Sequence, residues 1–214
     1  MSQMIEFLRK LQGKHASKGQ SFIELTLMLL VLLTLLVGMV EFGNLLNLYI
    51  NLVDGAREGA RFVSNDDPFE TGNYEAFFGK VYETVQGRYE SGVQLSKGAI
   101  NPVILSAANG DDIIVTIYSI TTNPSSGAKA LVKFTSGAGS RYNQHTSMLS
   151  DATILSRVDG YAPNTGLLVV EIFYNYHQIL KLFSVIVPDP ILVHTYSIMP
   201  LSSAEPTPTP RPSP

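Results

Sequence analysis

One carboxylate, Glu24, stands at the head of the apolar run Leu25 to Val40, just after Lys18, Gly19, Gln20, Ser21, Phe22 and Ile23. An ionised acid at mid-bilayer depth costs roughly 2.5 to 3.5 kcal/mol on insertion scales and less near the interface, so this acid calls for a partner. A cation is the natural one. Cleavage between Gly19 and Gln20 would make Glu24 the fifth residue and set a new α-amino group about one helical turn from it. That amine can pair with the Glu24 of a neighbouring copy or related subunit.

Elsewhere the reactive side chains do not fall into a catalytic pattern. His15, His145, His177 and His194 lack metal-ligand spacing. Asn65, Asp66, Asp67 and Glu70 lack the alternating acids and central glycine of a calcium loop, and read as a capped turn. Ser140 and Ser147 beside His145 read as chance neighbours, and there is no phosphate-cradling glycine loop or nucleophile elbow. The absence of cysteine excludes disulfides, thiolate iron–sulfur ligation and thiol nucleophiles. A net charge of -3 offers no basic surface for nucleic acid. The expectation is a protein that is not an enzyme, with no metal, no cofactor and no nucleic-acid partner.

The elements around Glu24 are those of a membrane anchor. Phe22 to Phe42 would rise about 30 Å as a helix, the hydrocarbon thickness of a bilayer. Arg9, Lys10, Lys14 and Lys18 precede the run against the single acid Glu6, whereas Glu41 and Asp54 follow it. The positive-inside rule therefore puts the leader in the cytoplasm and the rest outside the membrane. Beyond the run, Leu45, Leu46, Leu48, Tyr49, Leu52, Val53, Ala56, Ala60 and Val63 recur near helical spacing among polar residues. This reads as one helix from about Gln20 to Val63, amphipathic in its outer half, with its stripe facing a folded head or other subunits. Asp66, Asp67 and Pro68 would end it.

About 150 residues then remain for one extracytoplasmic domain. Asn73 can cap a helix carrying Tyr74, Phe77, Phe78, Val81, Tyr82, Val85 and Tyr89. Pro102 to Ala107 and Ile113 to Ile120, joined through Asn109, Gly110, Asp111 and Asp112, read as a hairpin with Asn-Gly turn chemistry. Ala130 to Thr135 and Gly166 to Tyr176 read as strands, and Ser147 to Val158 as a short helix or irregular chain. Leu180 to Val187 is too short to cross a bilayer, and reads either as a buried core segment or as an exposed patch docking on a partner or the membrane surface. The fold class is α+β: a long N-terminal transmembrane helix continuing into an amphipathic extracytoplasmic half, with a small antiparallel β-sheet head. The expected boundaries are a leader at 1–19, a span at 20–42, its continuation at 43–64, the head at 65–201 and a disordered Pro-rich tail at 202–214.

The basic leader ending at Gly19, with Glu24 five residues into the retained segment, resembles the class III signal of type IV pilins and pseudopilins. A secretory signal peptide instead has its apolar region before the cut. The octet Asp54, Gly55, Ala56, Arg57, Glu58, Gly59, Ala60, Arg61 is similar to the Ala/Arg stretch that follows the membrane segment in TadE-like proteins, minor pilin-like components of tight-adherence (Flp-type) pilus systems. Glu41, near the end of the run, stands where that pattern has a second Glu. Gly55 and Gly59 replace more usual alanines; with Ala56 and Ala60 they form a small-residue face that another helix or strand can approach closely, flanked by Arg57 and Arg61.

The resemblance implies processing by a prepilin peptidase at Gly19 and Gln20, and assembly contacts at Glu24 and Glu41. It also implies other pilin-like subunits and an inner-membrane pilus assembly platform as partners, beside membrane lipid. From the family outline, Ile191 to Ile198 is expected to return as a strand. The alternatives are a minor pseudopilin of a type II secretion or competence system, and a single-pass anchored binding domain.

Overall fold

The computed structural model describes residues 2–68, 74–90, 93–96, 102–134, 139–158, 164–181, 184 and 186–204. Two compact units divide the chain, Met1–Leu45 with Gln178–Pro188, and Leu46–His177 with Asp189–Pro214. Expectations for Asn73, Thr135, Leu182, Phe183, Val185 and the tail from 205 fall outside the described residues.

Helix α1 runs over Ser2–Val63, so it begins well before Gln20, where the sequence reading had started it. Residues 2–19 hold no proline, and their Leu, Lys and Gln residues favour helix, which runs on through the leader. In the first unit the apolar side chains from Phe22 to Val40 are almost all exposed, Met28 by 76% and Met39 by 77%. From Gly19 on, α1 is long and apolar enough to cross a membrane. A helix that is apolar all round, and not buried by its own protein, calls for lipid or other helices around it. The chain thus carries one N-terminal helix suited to a single-pass anchor.

In the second unit the same helix has a clear inside. Leu52, Ala56, Ala60 and Val63 are fully buried at spacings of three and four, the stripe that the pattern predicts, and it packs against the head. Turns at 64–65 follow α1, ahead of Pro68. Helix α2 covers Tyr74–Gln86 and buries Phe77, Phe78, Val81, Tyr82 and Val85. It stops short of Tyr89, because Gly87 turns to φ 77° and Arg88–Glu90 leaves as strand β1, paired antiparallel with β2 at Val93–Ser96. A left-handed glycine is the commonest way to end a helix, and the apolar spacing of Tyr89 does not override it.

The main sheet is antiparallel. Its order is β4 (Lys129–Lys133), β3 (Asp112–Thr122), β6 (Gly166–Tyr176) and β7 (Ile191–Leu201), with the short β5 (Gly139–Ser140) also pairing β3. The expected hairpin between 102–107 and 113–120 does not form. Residues 102–106 lie outside any strand, and Asn109 and Gly110 close a 3₁₀ turn instead, with Gly110 at φ 75°. The physical reason is Asp111, whose carboxylate accepts the Ser106 amide at 2.9 Å and draws the preceding chain into a tight turn. The pairs Ile113 with Ile172 and Val115 with Val170 show that β6 takes the place beside β3.

Both faces of the sheet are covered, and so β6 is buried along nearly its whole length, polar positions included. Ile172, on one face, lies near Gly55 of α1. On the other face Tyr118, Ile120, Leu167 and Val169 cluster with Leu149, Ile154 and Val158, from the segment that precedes and contains the short helix α3 (Asp151–Leu155). Ser150 caps α3 by accepting the Thr153 amide at 3.2 Å. The architecture is mixed α+β, a long apolar helix followed by a small antiparallel sheet domain.

Candidate functional site

Gln20 and Glu24 lie one turn apart on an exposed stretch of α1, where the Gln20 side-chain amide donates to Glu24 at 3.1 Å. Gln20 is an internal residue of α1, and its side-chain amide is what meets the Glu24 carboxylate. Gly19 is exposed, with open space around the position a Cβ would take.

Glu41, near the other end of the apolar run, has a defined role in its own unit. Its two carboxylate oxygens accept the backbone amides of Ile179 and Leu180 at 2.9 and 3.0 Å. The acid therefore holds the turn that opens the 178–188 segment. Of the two readings of Leu180 to Val187, the described residues fit the exposed patch and not the buried core: Leu180, Ile186 and Val187 are exposed, Ile186 by 82%, as is Ile179 before them. The segment is closed by Gln178, whose side-chain amide reaches the carbonyls of Val187 and Pro188 at 3.2 and 3.4 Å. The run ends at Pro188, and its described apolar residues lie on the surface.

The small-residue face of α1 is buried in the second unit. A Cβ on Gly59 would come within 2.8 Å of Val85 Cγ2 and 3.3 Å of Val81 Cγ1, and one on Gly55 within 3.5 Å of Val85. The close approach is made by α2 of the same chain, with Ile172 of β6 at the limit of contact. Arg57 and Arg61 point away and are exposed. Arg61 clasps Glu58 through two bonds of 2.9 and 2.6 Å, and this hydrogen bond holds the Glu58 carboxyl below its ordinary range.

Three carboxylates organise the head: Asp111 and Asp112, expected only as turn residues, and Glu171, expected only as one position of an alternating strand. Asp112 is fully buried and accepts from the amides of Ile113, Tyr142 and Gln144 at 2.9 Å each, from the His145 amide at 3.1 Å, and from the Ser140 hydroxyl at 2.7 Å. Asp111, equally buried, accepts the Asn175 amide at 2.8 Å as well as the Ser106 amide. Glu171 is buried and accepts from the Ser147 hydroxyl, the Met148 amide at 3.1 Å and a ring nitrogen of His194 at 2.9 Å. His145 and His194 stack on either side of Phe173, with ring centroids 4.5 and 4.6 Å away. Ser147 and His194 each turn to the carboxylate, so the cluster acts as a clasp holding 140–148 over the sheet. A faint signal was available: acids at strand positions otherwise filled by Ile, Val and Leu require buried donors.

Burial also raises two tyrosines above their ordinary range. Tyr82, whose hydroxyl donates to the Gly139 carbonyl, is pushed up by desolvation and by the Asp112 charge. Tyr118 is pushed up to about 12 by desolvation, then by the charges of Asp151 and Glu171. A cleft of about 460 Å³ opens beside that cluster, lined by Ile120, Ile154, Arg157, Leu167, Tyr196 and Ile198 among others. Among the described residues, no three His, Asp or Glu side chains gather as a metal cage.

Neither the curated proteins nor the solved structures include a match to this chain. Against protein families the outcome is specific and local: residues 19–61, the stretch of α1 bearing Glu24, Glu41 and the small-residue face, match the family described as TadE-like protein.

Proposed function

We propose that this chain is a minor pilin-like subunit of a tight-adherence-type pilus assembly or secretion system, acting in pilus biogenesis and adhesion. It is anchored in the cytoplasmic membrane by α1, with the leader in the cytoplasm and the head outside. The TadE-like match over residues 19–61 carries this reading, because it covers the one helix among the described residues that is long and apolar enough to span a membrane. A prepilin peptidase would cut after Gly19, and the amine of Gln20 would pair with the Glu24 of a neighbouring subunit as the helix leaves the lipid. Pairing offsets part of the cost of two charges in apolar surroundings and fixes axial register. The proposal gives the protein no catalytic role, no cofactor and no nucleic-acid partner. Its partners are other pilin-like subunits, the peptidase, the assembly platform and lipid.

The test begins with the intact mass and N-terminal sequence of protein taken from its own membranes. A chain starting at Gln20 is expected, and Glu24→Ala should then leave insertion and cleavage intact while pilus assembly falls. An uncut leader would favour a plain anchored binding domain, and wild-type assembly in Glu24→Ala would remove the pairing role.

A further inference from the structure

The segment 178–188 carries five described residues that bear on lipid. Ile179, Leu180, Ile186 and Val187 are exposed and apolar, and Lys181 is the segment's one charged residue by sequence, also exposed. Several of its described backbone groups are hydrogen-bonded. Glu41 takes the amides of 179 and 180, Gln178 donates to the carbonyls of 187 and 188, and Ser184 donates to the Lys181 carbonyl through its hydroxyl at 2.7 Å and its amide at 3.3 Å. Polar backbone can enter an apolar phase only when its groups are satisfied internally. A loop meant for water has no such requirement.

Its level along α1 is also fixed. Glu41 lies nineteen residues beyond Phe22, which is about 29 Å of helix and close to the hydrocarbon thickness of a bilayer. The carboxylate that ends the apolar run is thus the one that holds the loop, so the exposed apolar side chains continue the lipid-facing surface of the helix at its boundary.

We infer that the described residues 178–181, 184 and 186–188 form a membrane-surface foot, whose Ile179, Leu180, Ile186 and Val187 enter the boundary between headgroups and acyl chains while Lys181 reaches the phosphates. Entry to a depth of about 5–10 Å is what interfacial segments of this kind achieve. Lysine keeps its charge in the polar layer as its stem lies along the apolar one. The foot rests on the reading of α1 as a membrane span, and the test separates the two.

The native chain contains no tryptophan, so single Trp variants report their own surroundings. Full-length Ile186→Trp, Leu32→Trp and Ser125→Trp are each reconstituted in vesicles of phosphatidylcholine and phosphatidylglycerol, with bromine placed either near the headgroup end or deep in the acyl chain. At position 186 we expect blue-shifted emission quenched by the shallow bromine, at 32 quenching by the deep bromine, and at 125 neither. Adding Glu41→Ala should abolish quenching at 186 and spare it at 32. Water-like, unquenched emission at 186 with normal quenching at 32 overturns the foot alone. A blue shift at 186 without quenching would mean that protein, such as a second copy, covers the loop, and overturns the lipid assignment. Quenching at 186 that survives Glu41→Ala overturns the part given to Glu41. Loss of quenching at 32 overturns the span itself.

Discussion

Two stretches of one helix meet opposite surroundings. From Phe22 to Val40, α1 is apolar on every side and exposed, whereas from Leu52 to Val63 only one stripe is apolar and that stripe is wholly buried. The backbone is the same α-helix throughout. What differs is how many faces are apolar, and that decides which solvent each stretch requires. The outer stretch finds its apolar surroundings in its own head; the inner stretch leaves that requirement to something outside the chain. The packing residues differ accordingly: bulky Leu, Val and Met on the inner stretch, Gly and Ala at the contact with α2 on the outer.

The comparison breaks most visibly if the head is unfolded on its own. Asp112→Ala strands several buried donors at about 1–3 kcal/mol each, and a loss on the order of 5 kcal/mol of head stability is expected. Denaturant melts followed by circular dichroism measure that loss, while membrane fractionation should show the chain still retained by α1. Release of the variant from membranes would mean that the two stretches are not independent.

A matched pair sharpens the contrast. Leu52→Ala should cost the head about 2–5 kcal/mol through lost burial and a cavity, whereas the same change at Leu30 should alter head stability by no more than about 0.5 kcal/mol. Equal losses in the two melting curves would contradict the burial difference.

The smallest expected effect is alkaline. Tyr118 holds its proton in the folded head up to about 12 against an ordinary value of 10.0, so across that window the unfolded chain has lost a proton that the folded one keeps. Stability therefore falls as pH rises through the window, and Tyr118→Phe should lessen the slope. Tyr82 and Tyr174, also raised by burial, leave part of the slope in place. An unchanged slope in Tyr118→Phe would remove the assignment.

Local periodicity made much of this molecule legible in the sequence. The stripe of Leu52, Ala56, Ala60 and Val63, the aromatic face of α2 and the strand at 166–176 follow from spacing, while the last strand, expected at 191–198 from the family outline, runs on to Leu201. Where reading failed, a tertiary contact outweighed a local signal. Asn109 and Gly110 carry hairpin chemistry, yet Asp111 turns the preceding chain back and β6 pairs with β3. Asp112 and Glu171 gave only a weak hint, because every donor except the adjacent Ile113 lies 23 to 33 residues away in sequence. The 180–187 run was ambiguous by composition, and only its exposure and the bonds to Glu41 place it at a surface. Hydrophobicity states a preference for company without naming it.

The close seating of Gly59 on Val85 has a mechanical consequence. Leu52, Ala56, Ala60 and Val63 share one face of the helix and span about three turns. A load drawn along that stretch would be met in shear across the whole seam at once, not peeled from one end. With no side chain at Gly59 to act as a spacer, the seam is tight where it would otherwise begin to slip. Such a joint suits a part that must carry tension without parting from its own helix.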